Sequence, residues 1–259
     1  MADLLKAEQI EMSWRTGFAL INHYVANNQW QKAVETGKKY TKKYPSNYYI
    51  GLKYAKALCE TGQYQPCISL LSRMQVLPNE GSYAGRAVYR EANLYRAMEQ
   101  LSHKNYKQVV KSVETSKEWP ENLGVGKPYD NMIDNRLEDY LEAKAAAGQG
   151  DSRKTSALLA AVADYTISRS HFESGNLLSA LALRESGKVQ EADHMVAAWS
   201  TDFPENRVVQ WCTAIYRGEK EKAVGMLQSR NDQTNTTPWE ASFRDSNFDL
   251  IVRLFSTEQ

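Results

Sequence analysis

The segment GVGKP at 124–128 is the first place in the chain where residue types suggest chemistry. A phosphate-binding loop requires G-x-x-x-x-G-K followed by Ser or Thr, and it joins a strand to a helix. Here Glu121 stands five residues before Gly126, and Pro128 occupies the hydroxyl position. The pattern therefore favours an ordered loop over a phosphate site. Long ordered loops often carry function, so a ligand or partner contact through Lys127, Tyr129 and Asp130 is the alternative.

Acidic residues and histidines at helical spacing are the second candidate. Glu191 and His194 are three residues apart, a spacing that di-iron helical bundles use twice together with two further carboxylates. This chain has one such pair, so helix surface is the better interpretation. The same holds for two carboxylate pairs, Glu138 with Asp139 and Asp245 with Asp249. No Ser or Cys lies in a nucleophile elbow. We therefore expect no enzyme activity, no metal and no cofactor.

Composition narrows the classes of partner. The 32 Lys and Arg residues nearly balance the 31 Asp and Glu residues, for a net charge of +1. Nucleic-acid and anionic-membrane binders usually carry a large basic excess, so neither partner is expected. The three cysteines, Cys59, Cys67 and Cys212, form no CxxC pair and are predicted to be reduced and buried. We see no signal peptide or transmembrane segment and expect a cytoplasmic protein, unless the chain is a fragment of an exported one.

An internal repeat predicts the elements that position these residues. Residues 62–78 (GQYQPCISLLSRMQVLP) combine Gly62, Tyr64 two residues later, the small Cys67 and a terminating Pro78. Related segments begin at Asn28, Lys104, Gly187 and Gly218. Small residues also recur in the preceding helices, at Ala55, Ala97, Ala143 and Ala180, where they let paired helices approach closely. A period of about 34 residues indicates helix pairs joined by a turn at the glycine-like position.

The repeat divides the chain into five parts. We predict a helical lead-in at 1–13, repeat units one to three at 14–120, an inserted loop at 121–135, units four to six at 136–230, and a polar loop with a C-terminal capping helix at 231–259. The helices of the first three units are predicted at 14–27, 30–44, 48–61, 64–77, 90–103 and 106–119. The cap, placed at 238–255, has its apolar side formed by Trp239, Phe243, Phe248, Ile251, Leu254 and Phe255. The basic run Lys38, Lys39, Lys42 and Lys43 is read as a solvated face, with a docking patch for an acidic partner as the alternative.

Over residues 14–230 the chain resembles the tetratricopeptide-repeat (TPR) superfamily. The matching residues are Ala55, Gly62, Tyr64, Cys67 and Pro78, then Ala180, Gly187, Ala192 and Pro204. Gly37 departs from the pattern where a large residue is usual, Trp30 replaces the usual Tyr, and unit four lacks its proline. The resemblance implies an all-α fold, a right-handed α-solenoid of about six TPR-like helix pairs with a C-terminal capping helix.

A narrower resemblance covers residues 119–130 (WPENLGVGKPYD) and the following RLEDYLEA. These residues are similar to the C-terminal TPR region of long bacterial proteins encoded near sugar-degrading enzymes. This resemblance implies the alternative function: an accessory TPR domain, or a C-terminal fragment, of a larger bacterial carbohydrate-related protein.

The TPR resemblance also predicts a partner site, because first helices line the concave groove of such arrays. The expected partner-binding residues are Phe18, Asn22, Tyr49, Leu52, Lys56, Glu91, Leu94 and Met98, together with Lys127 and Tyr129 of the insertion. We expect Leu52→Arg with Leu94→Arg to abolish partner capture without unfolding the chain.

The same alignment bears on the kind of partner. Phe18 and Glu91 replace lysines of the carboxylate clamp of chaperone-binding members, and Lys53 replaces an asparagine, although Asn22 matches. No chaperone-tail clamp is expected. The fairly apolar groove suits an amphipathic helix or an extended peptide, unless the chain's own terminal segments fill it. The leading hypothesis is a non-catalytic scaffold for protein–protein interaction.

Overall fold

The fold is known from a computed structural model that describes residues 1–78, 83–167, 172–231 and 245–257. Over these ranges the regular structure consists of α-helices and two 3-10 helices, Glu121–Leu123 and Asp130–Met132, without a strand. The predicted all-α class is confirmed. No helix in the described ranges is long and apolar enough to cross a membrane.

The α-helices follow one another with short connections. They are α1 (Ala2–Ile10), α2 (Trp14–Ala26), α3 (Trp30–Lys43), α4 (Tyr48–Glu60), α5 (Tyr64–Leu71), α6 (Ala84–Ser102), α7 (Tyr106–Lys117), α8 (Arg136–Gly148), α9 (Ser152–Ile167), α10 (Gly175–Glu185), α11 (Val189–Asp202), α12 (Arg207–Tyr216), α13 (Lys220–Asn231) and α14 (Phe248–Thr257). The chain forms two compact bodies. The first comprises 1–96 and 114–132, and the second comprises 97–113 and 133–259.

The glycine-like position of the repeat is the turn within each helix pair. Six residues there have positive φ angles between 54° and 82°: Asn28, Gly62, Lys104, Gly150, Gly187 and Gly218. The following backbone N–H donates to the carbonyl five residues back, as from Gln63 to Leu58 at 2.8 Å and from Lys188 to Leu183 at 2.9 Å. This is the Schellman turn, which ends a helix in the left-handed conformation and satisfies its last carbonyls. Glycine suits this conformation because it has no Cβ to clash.

In the first body, small side chains allow the helices to pack closely. Ala55 and Cys67 are fully buried, which agrees with their predicted role, and Ala33 is fully buried as well. Helix α2 contacts α3, α3 contacts α4 and α4 contacts α5, and α2 also contacts α4. The repeat pattern predicts a large residue at position 37, but the Tyr54 ring already occupies the space beside Gly37. A Cβ at Gly37 would lie 2.6 Å from that ring.

The second body repeats this packing. From α8 to α13 each helix contacts the next, and α10 contacts both α8 and α12. Helix α14 packs its buried Phe248, Ile251 and Leu254 inward, with the Phe248 ring centroid 5.3 Å from that of Trp211. The apolar side predicted for these residues is confirmed, while Trp239 and Phe243 lie outside the described residues.

Two predicted helix ends are wrong. Helix α5 ends at Leu71 instead of 77, because Asn122 of the insertion binds the chain there. The Asn122 side-chain amide donates to the carbonyls of Leu71 at 2.9 Å and Met74 at 2.7 Å, and its own carbonyl accepts from the Val76 N–H at 2.8 Å. Helix α6 begins at Ala84, six residues before the predicted start at 90.

Helix α1 explains part of the basic run. The Lys39 amine lies 2.9 Å from a Glu8 carboxylate oxygen, and the Lys43 amine donates to the Met12 carbonyl at 2.8 Å. Tyr44 donates its hydroxyl to the same carbonyl at 2.7 Å. Two of the four lysines therefore hold the N-terminal lead-in against α3, and the other two lie on an exposed face.

Candidate partner-binding surface

The N-terminal turns of α2 and α4 form a cluster of aromatic and cationic side chains, hereafter the aromatic–cation face. Its members are Trp14, Arg15 and Phe18 on α2 and Tyr48, Tyr49 and Lys53 on α4. The Tyr49 ring centroid lies 4.3 Å from that of Tyr48, 6.2 Å from that of Trp14 and 6.4 Å from that of Phe18. Tyr49 therefore stands at the centre of a continuous ring surface, and 48% of it is exposed.

Local sequence positions this face. Ser13 caps α2 by accepting from the Thr16 N–H at 3.2 Å, and Asn47 caps α4 by accepting from the Ile50 N–H at 3.1 Å. Such caps fix where a helix begins and which residues occupy its first turn. Both helices are anchored in the core by fully buried residues, Ile21 on α2 and Ile50 on α4. Trp14, Phe18 and Tyr48 are partly buried and pack against the core, whereas Tyr49 is exposed.

Two cations lie against the rings of this face. The Arg15 guanidinium carbon is 4.6 Å from the Trp14 ring centroid, and the Lys53 amine is 5.8 Å from the Phe18 ring centroid. Both distances lie within the range of cation–π attraction. Within the described chain neither cation forms an ion pair with a carboxylate. The face is therefore apolar with an unneutralised positive charge at two places.

The predicted groove residues Lys56 and Glu91 bind each other. The Lys56 amine lies 2.7 Å from the Glu91 carboxylate and 2.7 Å from that of Glu60. Although burial lowers the pKa of the Lys56 amine, the attraction of these two carboxylates is larger in sum and raises it. This part of α4 and α6 is therefore an ion network of one amine and two carboxylates, with a net charge of −1, and Lys56 lies one helical turn after Lys53 of the aromatic–cation face.

The remaining predicted groove residues are not equally accessible. Asn22 and Leu52 are half-buried and flank the aromatic–cation face on α2 and α4. Leu94 is fully buried in the first body, and Met98 is 3% exposed in the second. These two side chains offer no surface to a partner, so Leu94→Arg is now expected to destabilise the fold instead of leaving it intact.

The insertion is an ordered loop whose predicted contact residues are exposed. Leu123 is fully buried in the first body, and Gly124 has φ +74° with its Cα packed against the Val76 backbone. Lys127 and Tyr129 are both exposed, and the Lys127 amine pairs with Asp130 at 2.7 Å. The glycine of GVGKP at 124 thus has a packing explanation, and the ordered-loop interpretation agrees with the structure.

The other candidate residues do not assemble into a centre. Glu191 and His194 are both exposed, and Glu191 lies 3.7 Å from the Lys188 amine. In the part of the chain that the structure describes, no three His, Cys, Asp or Glu side chains are grouped to hold a metal ion. The three cysteines are free and buried, as predicted. A hydrogen bond to Cys67 and burial raise the pKa of the Cys59 thiol, which keeps that thiol protonated.

A buried ionic cluster in the second body was not predicted. Arg136 is 2% exposed, and its guanidinium donates to Asp134 at 2.9 Å and 3.0 Å, to Glu173 at 2.8 Å and to Asn176 at 2.6 Å. Gly175 makes room for it, because a Cβ there would lie 2.6 Å from the guanidinium. The groups satisfy one another and join the N-terminal ends of α8 and α10, so we interpret the cluster as a stabilising crosslink.

Comparison with known proteins does not assign the chain to a group. No family model, no curated protein and no solved structure matches it.

Proposed function

We propose that the chain is a non-catalytic scaffold for protein–protein interaction, built as a right-handed solenoid of about six TPR-like helix pairs. Support for this architecture comes from the six Schellman turns with left-handed residues and from the small residues buried between paired helices. In such arrays each helix pair buries its apolar stripe against its neighbours and leaves one face for recognition.

The aromatic–cation face is the proposed binding surface, and it defines the partner. Tyr49 is large, apolar and 48% exposed, while the cations Arg15 and Lys53 have no carboxylate partner within the described chain. A peptide segment that alternates apolar and acidic side chains complements both features. Its apolar groups would cover the rings, and its carboxylates would reach the two cations. Charge-assisted contacts of this kind are stronger than neutral ones.

A defined peptide library tests this proposal. Random peptides displayed on phage are selected on the full chain, and the enriched peptides are synthesised and titrated by fluorescence polarisation. We expect enrichment of Asp and Glu beside aromatic or aliphatic residues. Tyr49→Ala should weaken binding roughly tenfold or more, as truncation of a central aromatic anchor does.

Matched variants locate the site. Lys53→Gln should weaken binding and reduce its salt dependence, because it removes one cation from the face. Lys111→Gln, a lysine of α7 outside the face, is the control and should leave affinity unchanged. Leu52→Arg on the flank should also reduce binding. If peptides are enriched without acidic residues, or bind the Tyr49→Ala protein as tightly as the unaltered chain, the face is not the binding surface.

A further inference from the structure

A cleft of about 190 Å³ in the second body lies among α10, α12, α13 and α14. Its apolar walls are formed chiefly by Leu181, Trp211, Ile215, Leu227 and Phe255. The volume exceeds the roughly 150 Å³ that accommodates a benzene ring in an apolar cavity. It is smaller than the roughly 300 Å³ at which clefts for drug-sized ligands begin. The space therefore suits one ring or a short branched chain with a small substituent.

The charged residues that line this cleft have one sign. They are Arg184 and Lys220, and the lining residues include no Asp or Glu. The Arg184 guanidinium is held in place, because it donates to the Tyr216 carbonyl at 2.9 Å and its carbon lies 4.7 Å from the Tyr216 ring centroid. Neither cation is paired with a carboxylate in the described chain. An apolar cleft with two unpaired cations complements an apolar anion.

One wall of the cleft carries a further polar group. Trp211 is 1% exposed, and its indole N–H has no hydrogen-bond acceptor among the described residues. A buried donor without an acceptor costs free energy unless something satisfies it. Because this N–H is itself buried, a ligand in the cleft contacts the Trp211 ring and not the N–H, whose NMR signal still reports on occupancy of the cleft.

We propose that this cleft binds a small monocarboxylic acid with a compact apolar tail, of the size of 3-phenylpropanoate. The tail occupies the space between Trp211, Leu227 and Phe255. The carboxylate faces Arg184 and Lys220 at the polar side of the cleft. This site is in the second body and does not depend on the aromatic–cation face of the first.

The test is a titration of the full chain with 3-phenylpropanoate, followed through the indole N–H signal of Trp211 in heteronuclear NMR spectra. We expect a saturable shift of this signal at millimolar ligand or below. The uncharged 3-phenylpropan-1-ol should bind roughly tenfold more weakly, since hydrogen bonds to charged groups are the stronger ones.

Two variants test the roles of charge and shape. Lys220→Gln should weaken binding of the acid roughly twofold to fivefold, the range for one partly exposed ion pair. Lys188→Gln, an exposed lysine outside the cleft, is the matched control and should change nothing. Val224 is 42% exposed at the cleft, so Val224→Phe should fill the opening and abolish binding while the thermal midpoint is retained.

Four results would overturn the proposal. They are the absence of a saturable Trp211 shift, equal affinity for the acid and the alcohol, equal affinity of the Lys220→Gln and Lys188→Gln proteins, and undiminished binding to Val224→Phe.

Discussion

Replacement of Arg136 by methionine should destabilise the second body strongly. The change keeps much of the side-chain volume and removes the guanidinium that binds Asp134, Glu173 and Asn176. Removing one partner of a buried ion pair costs about 3–5 kcal/mol, because the other charge stays buried without compensation. The Glu173 side chain is 37% exposed and water can solvate it, whereas that of Asp134 is 15% exposed. We therefore expect the lower part of this range, about 3 kcal/mol.

Lys144→Met is the matched control. Lys144 pairs with Glu185 at 2.7 Å, and both side chains are 32% exposed. A pair with this exposure contributes about 0.2–1 kcal/mol. The two variants thus remove the same charge and insert the same residue within the same helix, α8, and differ in burial.

Calorimetry and urea unfolding compare the stability that each of the two variants loses. For a body of about 150 residues, 1 kcal/mol shifts the melting temperature by roughly 2–4 °C. Arg136→Met should therefore lower the midpoint of one transition by roughly 6–12 °C, and Lys144→Met by less than about 4 °C. The chain has two compact bodies, so the traces are fitted without assuming one two-state transition. Equal shifts in the two variants would refute the assignment of Arg136 as a stabilising crosslink.

Three further predictions concern the turns, the core and pH. Gly187→Ala should lower the unfolding free energy by about 1 kcal/mol, because the φ angle of Gly187 is +82°. Gly225→Ala should raise it by about 0.5–1 kcal/mol, because Gly225 lies inside α13 with open space around it. Urea unfolding should therefore show changes of opposite sign, and changes of the same sign would contradict the turn assignment. Leu94→Arg should lower the unfolding free energy by several kcal/mol, since Leu94 is fully buried, and a melting temperature unchanged in calorimetry would show that this site is accessible. Burial and a hydrogen bond to Asp193 raise the pKa of Tyr216 to about 12, above its unfolded value near 10, so the stability from the neutral phenol is lost as pH rises from about 10 to 12. Tyr216→Phe should flatten the fall in unfolding free energy over that interval, and an unchanged slope would exclude this contribution.

Local sequence was enough to predict the all-helical class and the turns within the helix pairs. The position that holds Gly62 and Gly187 also holds Asn28 and Lys104, and all four have left-handed φ angles in the structure. This is possible because a Schellman turn depends on a few consecutive residues. Small residues such as Ala55 were predicted to be buried for a similar reason, since the periodicity of one helix determines its inward face.

Features that depend on distant residues were missed. The end of α5 at Leu71 depends on Asn122, which lies 51 residues away, and its contact replaces the last helical turn. The Arg136 cluster includes Asn247, whose side chain donates to Asp134 across 113 residues. No local pattern encodes contacts at such separation.

The proposed binding surface contains part of the predicted set of residues. Phe18 and Tyr49 were expected to face a partner, and the structure brings them together on the aromatic–cation face. Trp14 and Tyr48 complete this face and were not predicted, although an aromatic residue at the first position of a capped helix is a signal that could have indicated them. Leu94 was wrongly assigned to the groove because its place in the helix was counted from a predicted start at residue 90, whereas α6 begins at Ala84.

Amide hydrogen exchange of the full chain with and without a selected acidic–apolar peptide tests the central claim most directly. If the aromatic–cation face is the binding surface, the peptide should slow exchange in the first turns of α2 and α4, around Arg15 and Tyr49, and this protection should disappear in the Tyr49→Ala protein. Protection confined to other helices, or retained unchanged in Tyr49→Ala, would contradict the account.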